Sequence, residues 1–416
     1  MEDRSLKSST GHSDPTGGIM ALYSDIGRGH PSYLDSLVYL LKDKHPGLVC
    51  RNVFQESKGL SLLSWRFVSW LYSISGKGGL HTRFYDFIRK RSQKGARDSL
   101  MTRILGRDLK RAYENFPGIC LVDHPILAKS LADVCRVWYV HGEIAAPTEC
   151  AVRGVEKILV PLEETKNELI ARGAQEEAVL VCGLMIEPAL VETAEEAFQQ
   201  RLKRIESDRP LTVGFFTSGA YPKEHMEKII AGARSVIEKK MRAIIFCGTN
   251  RDKLEWMRRR LKDIDVKIVE DTEESPRQDE EFDLMLVTRK TRQEDTQRAV
   301  ELIPGLDAFV AASHERTNWP VGLGLPMFAL FPLIGTFAAQ NFEFAQRQRV
   351  MHPVKSMGEA RNSGGLLAEL RQNGQLLQMA KNGFGVHNFQ GTYAAVSQFV
   401  KRFGLHDSRQ PTGDEK

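Results

Sequence analysis

The sequence predicts an α/β protein assembled from two Rossmann-like halves. Short apolar runs alternate with longer amphipathic stretches, the pattern of parallel strands covered by helices. The alternation breaks once, at a charged stretch ending in Arg209-Pro210, and each half opens with a strand running into a glycine-containing turn and a helix. At 416 residues, 42% of them hydrophobic, the chain can bury a sizeable core, and at roughly 150 residues per domain two or three domains are expected.

In the first half the strand candidates are Gly18 to Ser24, Leu48 to Phe54, Ile119 to Val122, Val137 to Val140, Lys157 to Pro161 and Val179 to Cys182. The run after the first strand, Ser24-Asp25-Ile26-Gly27-Arg28-Gly29-His30-Pro31, leads into an apolar-periodic helix from Ser32 to Leu41. Gly27 and Gly29 can adopt positive φ or let a ligand approach the backbone, and His30 would face the mouth of a cleft. Taken alone, this run equally suits an ordinary strand-to-helix connection. A helix and linker from Ala194 to Asp208 separates the halves. The second half begins with Leu211 to Phe216, the turn Thr217-Ser218-Gly219-Ala220 and a helix from Lys223. Further strands are expected at Ala243 to Phe246, Val266 to Val269, Leu284 to Val287, Ala308 to Ala312 and Pro326 to Phe331, and helices at Gln293 to Glu301 and Thr392 to Phe403. The charged stretch Glu270 to Glu281 reads as a surface loop.

Charge is concentrated in one place. Ser61 to Glu114 holds 12 Lys or Arg against 4 Asp or Glu, whereas the net charge of the whole chain is +5. Aromatic residues including Trp65, Phe67, Trp70 and Phe84 are interleaved with these cations. The pattern suits a solvated helix face over a core, an anionic membrane surface, or, less well, nucleic acid. The six cysteines show no C-x-x-C spacing, and several sit in apolar runs, as expected of free thiols in a reducing compartment. No run reaches the roughly 18 apolar residues of a membrane span, and the start is polar without a signal-peptide h-region. No H-E-x-x-H, metal-ligand spacing, G-x-S-x-G or complete G-x-G-x-x-G occurs, so metal-hydrolase, serine-hydrolase and hydride-transfer chemistry find no support.

Several stretches, taken in order, resemble the glycosyltransferases that make monogalactosyldiacylglycerol and the enzyme that adds N-acetylglucosamine to the lipid-linked peptidoglycan precursor. Ser24 to His30 is similar to that family's S-D-x-G-G-G-H loop, and Val122-Asp123-His124-Pro125 to its strand ending in H-P. Val181 to Pro188 is similar to V-x-G-L-P-V-x-P, with Met185 in place of a proline. Phe246 to Asn250 resembles the C-G-x-N turn, and Gly324-Leu325-Pro326 with Gly335 and Asn341 matches the later G-L-P and G-x-x-x-x-x-N.

The resemblance implies a GT-B architecture in which two Rossmann-like domains face each other across a cleft. It divides the chain into a tail (1–17), an acceptor domain (18–195), a linker (196–210), a donor domain (211–385), a helix returning to the first domain (386–404) and a second tail (405–416). It implies a metal-independent, inverting transferase with no cofactor, whose nucleotide-sugar co-substrate is a UDP-sugar first of all. The protein would be cytoplasmic and able to sit at the inner face of a membrane through residues 61–111. Nucleic acid is not expected as a partner. His30, Asp25 and Asp123 are the candidate bases, since transfer needs a group to take the acceptor proton. Gly27, Gly29, His124, His141 and Glu143 would bind acceptor, with Glu143 also a rival base. Ser218, Gly219, Ala220, Gly248, Asn250, His314, Glu315, Arg316, Thr317, Asn318, Gln340 and Asn341 would bind donor, Arg316 as a phosphate partner.

The donor side departs from the family. The turn at 217–222 has a single glycine, Trp319 stands where a ribose-binding glutamate belongs, Pro320 interrupts or restarts the helix, and Thr336-Phe337 replaces a sugar-contacting Gln-Glu pair. A protein that keeps the architecture but binds without catalysis is therefore the alternative. Two-Rossmann nucleotide-sugar epimerases or phosphorylases are a third class, which generally place several carboxylates and basic residues around the donor phosphate and which the poor donor side here argues against.

Overall fold

The computed structural model describes residues 18–26, 29–75, 100–272 and 281–403. The first sheet contains β1 (Ile19–Tyr23), β2 (Val49–Asn52), β3 (Ile119–Val122), β4 (Arg136–Val140), β5 (Lys157–Val160) and β6 (Val179–Val181), in the order β2-β1-β3-β4-β5-β6. The second contains β7 (Thr212–Phe216), β8 (Arg242–Phe246), β9 (Ile268–Asp271), β10 (Leu284–Val287), β11 (Ala308–Ala311), β12 (Met327–Leu330) and β13 (Met351–Val354), in the order β13-β12-β11-β7-β8-β10-β9. Every pairing in both sheets is parallel. Strands covered on both faces must be apolar throughout, and β3, β10, β11 and β12 are buried at every position.

Helices cover both faces of each sheet. In the first domain Leu34, Leu37 and Leu41 of the helix Gly29–Lys42 pack on one face, and Leu105, Leu109, Leu127 and Leu131 on the other. In the second domain Ile229, Ala233 and Val236 of the helix Lys223–Glu238 fill one face, while Phe216, Phe309, Phe342 and Trp319 fill the other.

Several expectations are corrected. The strand expected to reach Phe54 stops at Asn52, whose side chain accepts from Phe54 N (2.8 Å) and caps a short helix, Val53–Glu56. Part of the supposed linker 196–210 belongs to the second domain. The helix Ala194–Glu206 buries Phe198 and Ile205 in that core, and Arg201 donates to Leu306 O (3.0 Å) and Leu323 O (2.9 Å). The charged stretch from Glu270 begins inside β9. Asp271 is fully buried there and takes Arg289 Nη2 (2.7 Å) and Arg298 Nε (2.6 Å), so two guanidinium groups compensate its burial. Residues 273–280 of that stretch lie outside the described residues. β13 was not expected at all.

The terminal helix Gly391–Phe403 leaves the second domain and packs on the first, where Ala395, Val396 and Phe399 join the cluster holding Leu37 and Trp138. The rings of Trp138 and Phe399 meet edge to face at 5.0 Å. The crossing needs close backbone approach: a Cβ at Gly391 would lie 2.1 Å from Gly183 O. Asn388 fixes the same point, its carbonyl accepting from Leu184 N (2.7 Å) and its amide donating to Cys182 O (3.0 Å). Phe399→Ala should cost about 3–5 kcal/mol in urea unfolding, as expected for a fully buried aromatic; a loss below about 1 kcal/mol would show that the helix does not dock on the first domain.

Candidate functional site

In open parallel sheets ligands gather at the carboxyl ends of the strands where the order reverses. These points lie between β1 and β3 in the first sheet and between β7 and β11 in the second. At the first, Asp123 follows β3 and accepts from Ser24 N (3.0 Å) and Ser24 Oγ (3.1 Å), clamping the loop that follows β1. Both carboxylate oxygens are thus engaged in holding that loop. Burial pushes its carboxyl up to about 7 against the lowering effect of the Ser24 hydrogen bonds.

The clamp sets the conformation of the next residue. Asp25 sits at φ 47°, in the left-handed region that costs non-glycine residues strain, and its carboxylate accepts from Asn52 Nδ2 and faces Arg292 at 4.0 Å. Gly27 and Arg28 lie outside the described residues. Gly29 begins the first helix with two carboxylates against it. A Cβ there would lie 3.1 Å from Glu143 Oε1 and 3.2 Å from Glu315 Oε2, one group from each domain.

His30 is buried, with its ring edge on His124 (5.2 Å) and on Phe337 of the second domain (5.4 Å), and its Nδ1 has no hydrogen-bond partner. Burial lowers it to about 4, so the imidazole is neutral at physiological pH. His124 is turned to capping: its Nδ1 accepts from Ile126 N (3.2 Å). His141 uses both ring nitrogens internally, toward Tyr139 OH (3.1 Å) and Ala145 O (3.0 Å).

Glu143 meets the second domain directly. Asn341 Nδ2 donates to Glu143 Oε2 (2.9 Å) and Asn341 Oδ1 accepts from Ala145 N (3.0 Å). Burial first, and then the Glu315 charge, push the Glu143 carboxyl up to about 8. Asn318 adds a second crossing, donating to Gly142 O (3.1 Å) and Met185 O (3.3 Å). Trp319 supplies a third, from Nε1 to Glu187 Oε2 (3.1 Å). Its indole is otherwise core, edge to face with Phe216 at 5.4 Å.

The structure therefore brings Gly29, His30 and Glu143 together with Glu315 and Asn341. Arg316 pairs with Glu315 (3.1 Å) and lies over the Phe216 ring at 4.9 Å. His314 gives its carbonyl to Asn341 Nδ2 (3.3 Å), while the buried Thr317 Oγ1 and Gln340 Oε1 have no hydrogen-bond partner. Ser218, Gly219 and Ala220 form the turn after β7. Gly248, at φ 74°, gives its carbonyl to Thr288 Oγ1 (2.7 Å), and the Asn250 side chain caps the helix Arg251–Leu261 by accepting from Lys253 N (3.2 Å).

The sequence reading missed Asp35, Glu187, Arg292 and the role of Phe337. Asp35 and Arg292 form an ion pair across the domains. Helical spacing from Ser32 through Ser36 to Tyr39 carried a signal, because those residues line the cavities along the seam. Among the described residues no group of three or more His, Cys, Asp or Glu is placed to hold a metal ion.

No protein-family model matches the chain, and no curated protein matches it in sequence. Solved structures do match in three dimensions. UDP-GlcNAc 2-epimerase from Neisseria meningitidis, bound to UDP-GlcNAc, has a TM-score of 0.55 at 14% identity, covering 92% of this chain and 100% of its own. The putative UDP-N-acetylglucosamine 2-epimerase from Listeria monocytogenes has 0.56 at 11% identity, with coverage of 96% and 98%. MurG from Acinetobacter baumannii has 0.53 at 11% identity, with coverage of 92% and 99%. The fold is GT-B. At these identities the likeness extends to architecture, two Rossmann-like domains across a cleft, and in this protein the GT-B cleft is closed by side chains from both sides.

The Glu143 carboxyl makes that closure measurable. In the unfolded chain it ionises near 4.5, while the folded chain retains the proton to about 8. Between those values unfolding releases a proton, so this group's contribution lowers stability as pH rises through the window and is constant above it. Glu143→Gln should therefore gain thermal midpoint relative to the native protein as pH rises from about 4.5 to 8. Parallel pH profiles for the two proteins would contradict the burial of this group.

Proposed function

We propose that the protein binds a nucleotide-diphosphate sugar, a UDP-sugar first, on its second domain and transfers the sugar to an acceptor hydroxyl held by the first. The observation that carries this reading is the meeting of the two strand-order reversals across one seam, with the neutral His30 and Glu143 on one side and Glu315, Arg316 and Asn341 on the other. The GT-B fold, shared with a structure bound to UDP-GlcNAc, supports it.

In the proposed step the acceptor oxygen forms a bond to the anomeric carbon, the bond from that carbon to the diphosphate oxygen breaks, and the acceptor proton passes to an enzyme base. His30 is suited to accept that proton because it is already neutral; Glu143 can do so only after losing its own. Charge accumulating on the leaving diphosphate would be met by Arg316 and by amides of the turn before the helix Lys223–Glu238. The seam must open first, because Phe337 covers His30.

Two observations favour a second reading, in which the fold binds a ligand without catalysis. Trp319 is core where a ribose-binding carboxylate would stand, and Phe337 occupies a sugar-facing position. UDP, GDP and CDP thermal shifts combined with a nucleotide-release screen separate the two. The transfer reading expects UDP to stabilise the protein by about 2.7 kcal/mol at 100 times its Kd, and His30→Ala to lower kcat/KM by roughly 10²–10⁴-fold. Absence of stabilisation by all three nucleotides would remove the transfer reading.

The helix Gly59–Ser75 supports attachment to an anionic membrane. Trp65 is buried and donates to Leu105 O (3.1 Å), but Leu60, Leu63, Phe67 and Trp70 are exposed at helical spacing, with Phe67 and Trp70 stacked at 5.8 Å. Residues 76–99 of the basic segment lie outside the described residues. Among the described residues no helix is long and apolar enough to cross a membrane. Phe67→Ser with Trp70→Ser should abolish flotation with phosphatidylserine-containing vesicles at low salt; undiminished flotation would refute this contact surface.

A further inference from the structure

Beside the closed seam lies an open groove of about 570 Å³, the size of a small-molecule site. One wall comes from the first domain, through the ends of β1 and β2 and the helix Gly29–Lys42. The other is the helix Arg292–Leu302 of the second domain. We propose that this groove binds a neutral saccharide.

The charge of the lining argues for a neutral guest. Three acids, Asp25, Asp35 and Glu187, are matched by three bases, Lys42, Arg51 and Arg292, and Asp35 is already paired with Arg292. A phosphate or nucleotide would have to sit beside three carboxylates, and an amine beside the lysine and the two guanidinium groups, so neither sign of charge is favoured. Hydroxyl groups both donate and accept, so they can use carboxylate, amide and guanidinium partners together. Asn52 and Gln55 add amides to this set, and Asn52 already donates to Asp25.

Two further features point to a ligand. Asp25, next to the Ser24 that Asp123 clamps, sits in left-handed backbone at φ 47° and lines the groove, a conformation that costs a non-glycine residue strain. Tyr39, 66% exposed, offers a flat aromatic face to the C–H face of a sugar ring. The groove also adjoins an inner cavity. Glu187, Arg292, Thr296 and Val300 line both it and the inner cavity that reaches Glu315 and Arg316. A saccharide seated here would point a hydroxyl toward the seam, and because the two walls belong to different domains its binding would couple to their closure.

Saccharide binding does not depend on the transfer reading; only naming the saccharide as the acceptor rests on it. The test uses the full-length protein and a panel of glucose, galactose, N-acetylglucosamine, maltose, cellobiose and lactose at millimolar concentration, followed by saturation-transfer NMR, with glucose 6-phosphate as the charged control. At least one neutral sugar is expected to bind, more tightly than glucose 6-phosphate. Tyr39→Ala on one wall and Gln297→Trp, which fills the groove from the other, should each weaken that binding at least tenfold while leaving the UDP thermal shift unchanged. Both positions are exposed, so folding is checked by an unaltered thermal midpoint. Binding by none of the sugars, or binding that survives both substitutions, would overturn the proposal. Loss of the UDP shift in the native protein with sugar binding intact would instead remove only the transfer reading.

Discussion

The primary amide of Asn341, alongside the crossings made by Asn318, Trp319 and the Asp35–Arg292 pair, ties the two domains together. Its oxygen accepts from Ala145 N and its nitrogen donates to Glu143 and to the carbonyls of Ser313 and His314. The amide presents a carbonyl acceptor and a separate NH2 donor from one short side chain, which neither an ionised aspartate nor a leucine supplies. Asn341 is fixed in turn by its place on the helix Thr336–Arg347, which follows Gly335 at φ 81°. Part of the seam is apolar: Ile144, Leu184 and Ile186 of the first domain join Phe216, Trp319 and Phe309 of the second in one cluster. Asn341 is itself buried, and low dielectric strengthens the hydrogen bonds it makes across the seam.

The same closure governs the chemistry. Glu143 and Glu315 are brought against Gly29 from opposite domains, and the resulting low dielectric keeps the Glu143 proton on. His30 stays neutral for the matching reason, burial of a group that would otherwise charge. Opening would hydrate both groups and return them toward their ordinary behaviour. Cleft opening and proton affinity at the site are therefore one coupled equilibrium, and Phe337 over His30 marks the closed side of it.

Much of this was legible in the sequence because local pattern determines it. The apolar runs became strands, and the glycine-containing turns fell at the carboxyl ends of β1 and β7. The failures also have local causes. β13 reads Met351-His352-Pro353-Val354, and a proline argues against a strand except at a sheet edge, which is where β13 lies. Asp271 looked solvated until Arg289 and Arg298, 18 and 27 residues away, were seen to enclose it. Asn250 suited a ligand contact and a helix cap equally well by residue type; the geometry shows the cap.

What the sequence did not carry is the pairing across the seam. Arg292 with Asp35 and Asn341 with Glu143 are separated by 257 and 198 residues, and no periodicity links them. The motif residues were identified as a set, but which would face ligand and which would face each other is decided only when the domains meet. The amide of Ala145 reports that meeting most directly, because its partner lies in the other domain. Hydrogen exchange on the segment containing Ala145 should show strong protection in the free protein, lost in Asn341→Ala while the strands of both sheets remain protected. Rapid exchange at Ala145 in the native protein would contradict a cleft closed by its own side chains.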